Sequence, residues 1–239
     1  MAISTATEES HVARRAARIG LWAFPLYGVL LGVSTLTHQP SIDDFDAYAR
    51  YITTDLFLLS HLGASILGAA FAILGAVAVT AFLVHGRAAH TAVVGLMLTV
   101  VTNVFMAAAF GSATFVQPGI GRAHLDGVPG MPALNADTAY GPTFFATALT
   151  SSVFLILAAG VLGAAIARTT PRLRWLGIAY ATLIAAFTLC GFVLQPVQAF
   201  TGFALAVATA YLAVLLPRTT PSTATSDTGG AVSAAPVSS

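Results

Sequence analysis

Two residues in this chain carry chemistry into strongly apolar surroundings: His61 in "LLSHLGAS" and Asn103 in "VTNVFM". An imidazole titrates near neutral pH and can give or take a proton. A carboxamide both donates and accepts hydrogen bonds. Leaving either group in hydrocarbon is costly, so each must face protein or water. His61 shares a helical stripe with Ala64, Gly68 and Ala72, and Asn103 shares one with Thr99, Ala107 and Gly111. Small residues let helices approach closely, so both stripes face protein and carry their polar residue inward. The two side chains either hydrogen-bond between helices or line one cavity as ligand contacts. Asp55 is no partner for His61 on a regular helix, because six residues rotate it about 120° away.

A second candidate set is a repeated dipeptide. Gln39-Pro40, Gln117-Pro118 and Gln195-Pro196 are each 78 residues apart, and each follows a long apolar run. Proline cannot continue a helix and disfavours helical geometry in the residue before it, so each pair reads as a helix stop. The three glutamines then either sit at an interface or converge on a shared vestibule. The candidate ligand-binding set is therefore His61, Asn103, Gln39, Gln117 and Gln195.

The elements that position them follow from composition. Hydrophobic residues make up 57% of the chain, charged residues 8%, and mean hydropathy is +0.85, more apolar surface than a water-soluble domain can hide. Six runs, residues 19–37, 55–84, 92–115, 143–167, 175–195 and 200–216, are long enough to cross about 30 Å of hydrocarbon. Lipid offers the backbone no partners, so the spans are helical. The fold expected is an all-α integral membrane protein, with residues 1–18 as a cytoplasmic segment, 19–216 as a six-helix domain and 217–239 as a disordered tail rich in Pro, Ser, Thr, Ala and Gly.

Arginine gives the orientation, since positive charge is retained in cytoplasmic loops. Arg14, Arg15, Arg18, Arg87, Arg168, Arg172, Arg174 and Arg218 fall on one side of the six runs, and only Arg50 and Arg122 on the other. The expectation is three outward-closed hairpins with both termini in the cytoplasm, in a bacterial cytoplasmic membrane. Trp22 and Trp175 fall at the inner ends of their spans, as interfacial rings do. The basic start followed by an apolar run also resembles a secretory signal, and an uncleaved first span is the expectation.

Two outer loops are unusual. "SIDDFDAYARYITT" pairs Ser41 with Asp44 in a capping-box-like arrangement and places Phe45, Tyr48 and Ile52 on one face, predicting an amphipathic helix on the membrane surface. Residues 116–142 hold five glycines and four prolines and are too long for a turn, so they read as a lid, a binding loop or disorder. His124 and Asp126 in that loop are a weak metal-ligand pair, and no metal is assigned.

Several classes drop out. The chain has no lysine, which removes a retinal Schiff base and a phosphate-binding loop lysine. Cys190 is its one cysteine, so there is no intrachain disulfide or thiolate cluster. No basic stretch interleaved with aromatics supports nucleic-acid binding. No cofactor is expected. The partners expected are membrane lipids and a small or lipophilic ligand, with small-residue faces such as Ala159, Gly163 and Ala167 offering a route to a homo-oligomer or to a larger complex. The overall plan resembles that of small six-span bacterial membrane proteins in architecture alone. The function expected is binding or movement of that ligand through an outward-facing polar cavity. The alternatives are a membrane-embedded enzyme acting on a lipid or isoprenoid, and an accessory subunit.

Overall fold

Backbone N–H and C=O groups flanked by apolar side chains can satisfy only one another, and helix is how this chain pairs them. A computed structural model describes residues 2–37 and 39–219, with side chains from residue 11 onward. All regular structure among these residues is helical. The elements are α1 (Ala2–Gly20), α2 (Ala23–Ser34), α3 (Phe45–Ile52), α4 (Asp55–Leu58), a π-helical segment (Leu59–Ile66), α5 (Leu67–Leu83) and α6 (Ala89–Phe115). There follow α7 (Gln117–Leu125), α8 (Met131–Asp137), α9 (Pro142–Thr169), α10 (Arg174–Val193) and α11 (Gln195–Thr219). Six helical stretches, His11–Ser34, Asp55–Leu83, Ala89–Leu125, Pro142–Thr169, Arg174–Val193 and Gln195–Thr219, are long and apolar enough to cross a membrane. Each contains most of one expected run.

Local sequence explains the departures. The first span is interrupted at Leu21-Trp22, where α1 ends and α2 begins. Pro25 has no N–H to offer the Leu21 carbonyl, which instead accepts from Phe24 at 3.3 Å in a tightened turn. Pro25 thus stands in the first turn of α2 and not in a helix body. At the other end α11 runs through Pro217 to Thr219, beyond the expected boundary at 216. The predicted disordered tail, from residue 220 on, lies outside the described residues.

The long helices pack in a ring in chain order. α2 lies against α5, α5 against α6, α6 against α9, α9 against α10, α10 against α11, and α11 returns to α2. One apolar core fills it, from Leu21, Phe24 and Val79 to Leu162, Ile166, Leu205 and Leu212. Glycine sets how close the neighbours come. A Cβ at Gly163 would stand 2.5 Å from the Gly177 carbonyl oxygen, and one at Gly177 would stand 2.3 Å from that of Gly163. The Ala159-Gly163-Ala167 ridge is therefore used inside the chain, where Gly163 and Ala167 meet α10 and Ala159 joins the core.

A second, smaller core lies at one end of the ring. It joins Phe45, Tyr48, Ala49 and Ile52 of α3 to Phe57, Ala113, Ile120 and Ala139. The α3 helix forms as its sequence predicts, but Asp44 is the cap, accepting from the Ala47 N–H at 3.0 Å, while Ser41 bonds Asp43 instead. Its apolar face meets protein and not lipid, for Tyr48, Ala49 and Ile52 are 0% exposed. The 116–142 loop contributes α7 and α8, each with a proline in its first turn, where a missing N–H has no cost. Gly127 and Gly130 take φ of +83° and +81° in the link between them.

Candidate functional site

The same prolines recast the Gln-Pro pairs. Gln117-Pro118 and Gln195-Pro196 do not close a helix but open one, as the first residues of α7 and α11. The preceding helices stop two residues earlier, at Phe115 and Val193, so each pair stands at a helix break. Gln39-Pro40 lies in non-helical chain, beyond the end of α2 at Ser34.

A cavity of about 680 Å³ occupies the end of the ring nearest α3 and α7. Four of the five sequence candidates, His61, Asn103, Gln39 and Gln195, line it. Gln117 does not: it is 1% exposed and lies near Tyr48 and Asn135 of the smaller core. The exposed Gln195 and Leu36 border the mouth. No Asp, Glu, Lys or Arg stands among the described lining residues.

His61 is placed by a helix irregularity. It lies in the π-helical segment, whose bonds span five residues and whose wider turn is uncommon outside functional sites. Side-chain donors supplement that loosened ladder. Ser60 Oγ donates to the Phe57 carbonyl at 2.9 Å, and Ser65 Oγ donates to the Ser60 carbonyl at 3.3 Å. His61 Nδ1 lies 3.0 Å from the same Phe57 carbonyl and 3.1 Å from Ser60 Oγ. A carbonyl can only accept, so Nδ1 carries the hydrogen. In the neutral ring Nε2 then has a lone pair, which no described group engages. The imidazole rests on the Phe57 ring at 4.0 Å between centroids and meets the Phe110 edge at 6.2 Å.

Asn103 follows the same logic. Its Nδ2 donates to the Thr99 carbonyl at 2.8 Å, one turn back on α6, which fixes the amide orientation and turns Oδ1 away from the helix. Gln39 Nε2 donates to the Tyr140 hydroxyl at 3.2 Å and so ties the α2 exit to the start of α9. Gln198, one turn into α11, donates to the Phe187 carbonyl on α10 at 3.2 Å.

The sequence reading missed Ser60, Ser65, Thr35, Tyr27, Tyr140 and Gln198, all of which line the cavity. Ser60 and Ser65 flank His61 in sequence, and Gln198 stands three residues after Gln195 on the same helix. Attention to ionisable groups and amides alone passes over hydroxyls.

His124 does not join Asp126. Its Nε2 donates to Asp46 Oδ1 at 2.6 Å, clasping α7 to α3, and Asp126 is the exposed C-cap of α7. Among the described residues no three of His, Cys, Asp or Glu come together to hold a metal ion. The hydrogen bond from His124, its charge and that of Arg50 hold the Asp46 carboxyl below its ordinary range. Burial, with nearby Tyr140, pushes the Tyr48 phenol well above the usual range. Tyr48 lies near Gln117, Asn135 and Tyr140 but meets none of them in hydrogen-bond geometry, and its hydroxyl, Gln117 Nε2 and both Asn135 amide atoms are buried without partners.

Six apolar helices around such a cavity are the plan of a polytopic membrane protein. Comparison with protein-family models, curated proteins and solved structures returns no match.

Proposed function

We propose that this protein binds or moves a small or lipophilic ligand in the cavity that holds His61, Asn103, Gln39 and Gln195. The observation that carries the reading is the cavity itself. Its 680 Å³ falls in the range of ligand pockets, and polar groups from three separate helical segments and from the non-helical chain at Gln39 converge there beside apolar side chains. The arginine bias gives the orientation: three outward-closed hairpins, both termini in the cytoplasm, and the cavity opening outward from a bacterial cytoplasmic membrane. Helices α3, α7 and α8 then form an outer cap beside the mouth. Membrane lipids are the first partners of the exposed apolar faces.

A second reading, an enzyme acting on a lipid or isoprenoid, draws on one observation, the unengaged Nε2 of His61 as a base. No described carboxylate or metal cluster lines the cavity to complete such a site, and the hydroxyl beside the imidazole, Ser60 Oγ, donates to the Phe57 carbonyl.

Thiol labelling tests the main reading. In a Cys190→Ala background, His61→Cys should react with a small water-soluble reagent added from outside, because thiolate forms where water enters. Leu62→Cys, at a position 44% exposed on the apolar outer surface, should react far more slowly. An inert position 61 in folded protein, or one labelled only from the cytoplasm, would overturn the reading.

A further inference from the structure

Part of the cavity's polar wall has already given its hydrogens to the backbone. Hydroxyls on helices donate to carbonyls three or four residues back, and this chain applies that habit around that part of the wall. Ser34 Oγ donates to the Leu31 carbonyl at 2.9 Å and Thr35 Oγ1 to that of Gly32 at 3.0 Å. Ser60 and Ser65 have likewise given their hydrogens to backbone. Asn103 has spent an amide hydrogen on Thr99, and His61 its Nδ1 hydrogen on Phe57. What these six residues leave for an occupant is lone pairs: four hydroxyl oxygens, one amide oxygen and one imidazole nitrogen. Donors come from the rest of the wall: the phenols of Tyr27 and Tyr140, one hydroxyl of the Thr37–Tyr51 pair, the Gln195 amide and the second amide hydrogens of Gln39, Gln198 and Asn103.

This pattern selects among ligand heads. A carboxylate or phosphate could take hydrogen bonds from the amides and phenols, but its charge would be buried with no described cation on the wall to balance it. An ammonium group offers donors, but its charge would be buried with no described carboxylate on the wall, at a cost that hydrogen bonds alone do not cover. A hydroxyl is uncharged, donates one hydrogen bond and accepts others. It fits a wall that offers both acceptors and donors and carries no described Asp, Glu, Lys or Arg. The apolar part of the wall, Leu31, Ala69, Met106, Phe110, Leu155 and Phe187, suits a hydrocarbon body.

Resting on the binding reading above, we infer that the occupant is an uncharged amphiphilic alcohol or phenol whose hydroxyl donates to His61 Nε2 or Asn103 Oδ1. Its hydrocarbon body lies against Met106, Phe110 and Phe187.

The test uses the full chain in lipid nanodiscs, with Ala69→Cys as reporter in the Cys190→Ala background. Position 69 lines the cavity and supplies none of the acceptors. Dodecanol, dodecanoate, dodecylammonium and dodecane share one chain length and differ in the head. Dodecanol should slow labelling by a small methanethiosulfonate at a concentration at least about tenfold lower than the other three, the factor that about 1.4 kcal/mol of head-group interaction confers. Equal or better protection by any of the others overturns the hydroxyl inference and leaves ligand binding standing. If the thiol reacts and none of the four protects it, both fall. A measurement on the unsubstituted chain guards against a misfolded or inert reporter. Dodecanol, and not dodecane, should move the ¹⁵N resonance of His61 Nε2, assigned by its loss in His61→Gln, and an unmoved resonance overturns the inference.

Discussion

The arginine-bearing end of the helical ring and the cavity end are built from the same apolar alphabet and reach opposite results. At Gly163 and Gly177, α9 and α10 meet glycine to glycine, backbone on backbone, with only an open surface groove beside Arg168 and Arg174. At the other end the helix that carries His61 widens into π geometry, α2 gives way to irregular chain, and serines, threonines and amides stand where glycines would have let the helices close. The contrast teaches that the cavity is not a packing defect. Small residues place the closed seam, and a loosened helix with self-satisfied polar side chains holds the open one. A void of that size lined by large apolar side chains would lose contact energy throughout its wall.

The largest way to break this comparison is to force the closed seam apart. In Gly163→Leu the new side chain meets the Gly177 carbonyl, which is backbone and cannot rotate away. Overpacking costs 1–3 kcal/mol in typical cases, and a backbone obstacle puts this one at about 3 kcal/mol or more. Thermal unfolding in detergent should show a large fall in midpoint and a poor yield of folded protein. A loss below about 1 kcal/mol would mean that the seam has slack and that the two ends differ less than their glycines say.

The cap offers a second, gentler contrast, between polar groups that face a cavity and polar groups that face one another. Gln117 is buried beside Tyr48 and Asn135 with Nε2 unpartnered, whereas the other four candidates border open space. A buried donor without a partner costs about 1–3 kcal/mol, so removing it relieves a cost. Gln117→Leu should therefore leave stability within about 1 kcal/mol of the parent or raise it, and should leave labelling at position 61 unchanged. A large loss of stability would show that the amide is bonded in the working protein, for instance through water, and that this cluster resembles the cavity more than it differs.

How much of this was legible in sequence depended on the length over which a signal accumulates. The six long helices came from runs of seventeen residues or more, where hydropathy leaves little choice. His61 and Asn103 came from stripes of small residues, because inward direction follows from helical phase. Helix α3 was legible from Phe45, Tyr48 and Ile52, but the surface it covers was not, since an amphipathic face looks the same whether it meets lipid or protein. Helices α7 and α8, nine and seven residues long, hid behind glycines and prolines that read as breakers when two of the prolines were starters. Gln117 was misplaced for that reason: the equal spacing of three Gln-Pro pairs suggested equal roles, and the pairs sit in different local structure. The π-helical segment was not foreseen, because it holds no proline to mark an irregularity; the bonds of Ser60, His61 and Ser65 to its backbone are visible only in the folded chain.

The smallest effect concerns how the cap is held. Asp46 and His124 form the one described ion pair, bridging α3 and α7, with the His124 ring also edge-on to Phe45 at 4.9 Å and Arg50 the nearest further charge on α3. The Asp46 carboxyl titrates below its ordinary value of 3.8 because the folded state favours its charged form. A group with a lowered folded pKa adds stability that is present above its unfolded pKa and is lost as pH falls through the folded one. The carboxylate half of the clasp should therefore be in force at neutral pH and be lost as pH falls below about 4. Because Asp46 is exposed and water and salt screen the pair, the consequence should be local, with the ring of long helices unaffected. Hydrogen exchange is the suitable measurement: amides of α3 and α7 should exchange faster on acidification below pH 4, while those of α9 and α10 keep their protection. Asp46→Asn should expose the same amides at neutral pH and remove the acid response of the cap. If α3 and α7 respond to acid equally with and without Asp46, the clasp is not what fastens the cap, and its buried core of Tyr48, Ala49 and Ile52 holds it alone.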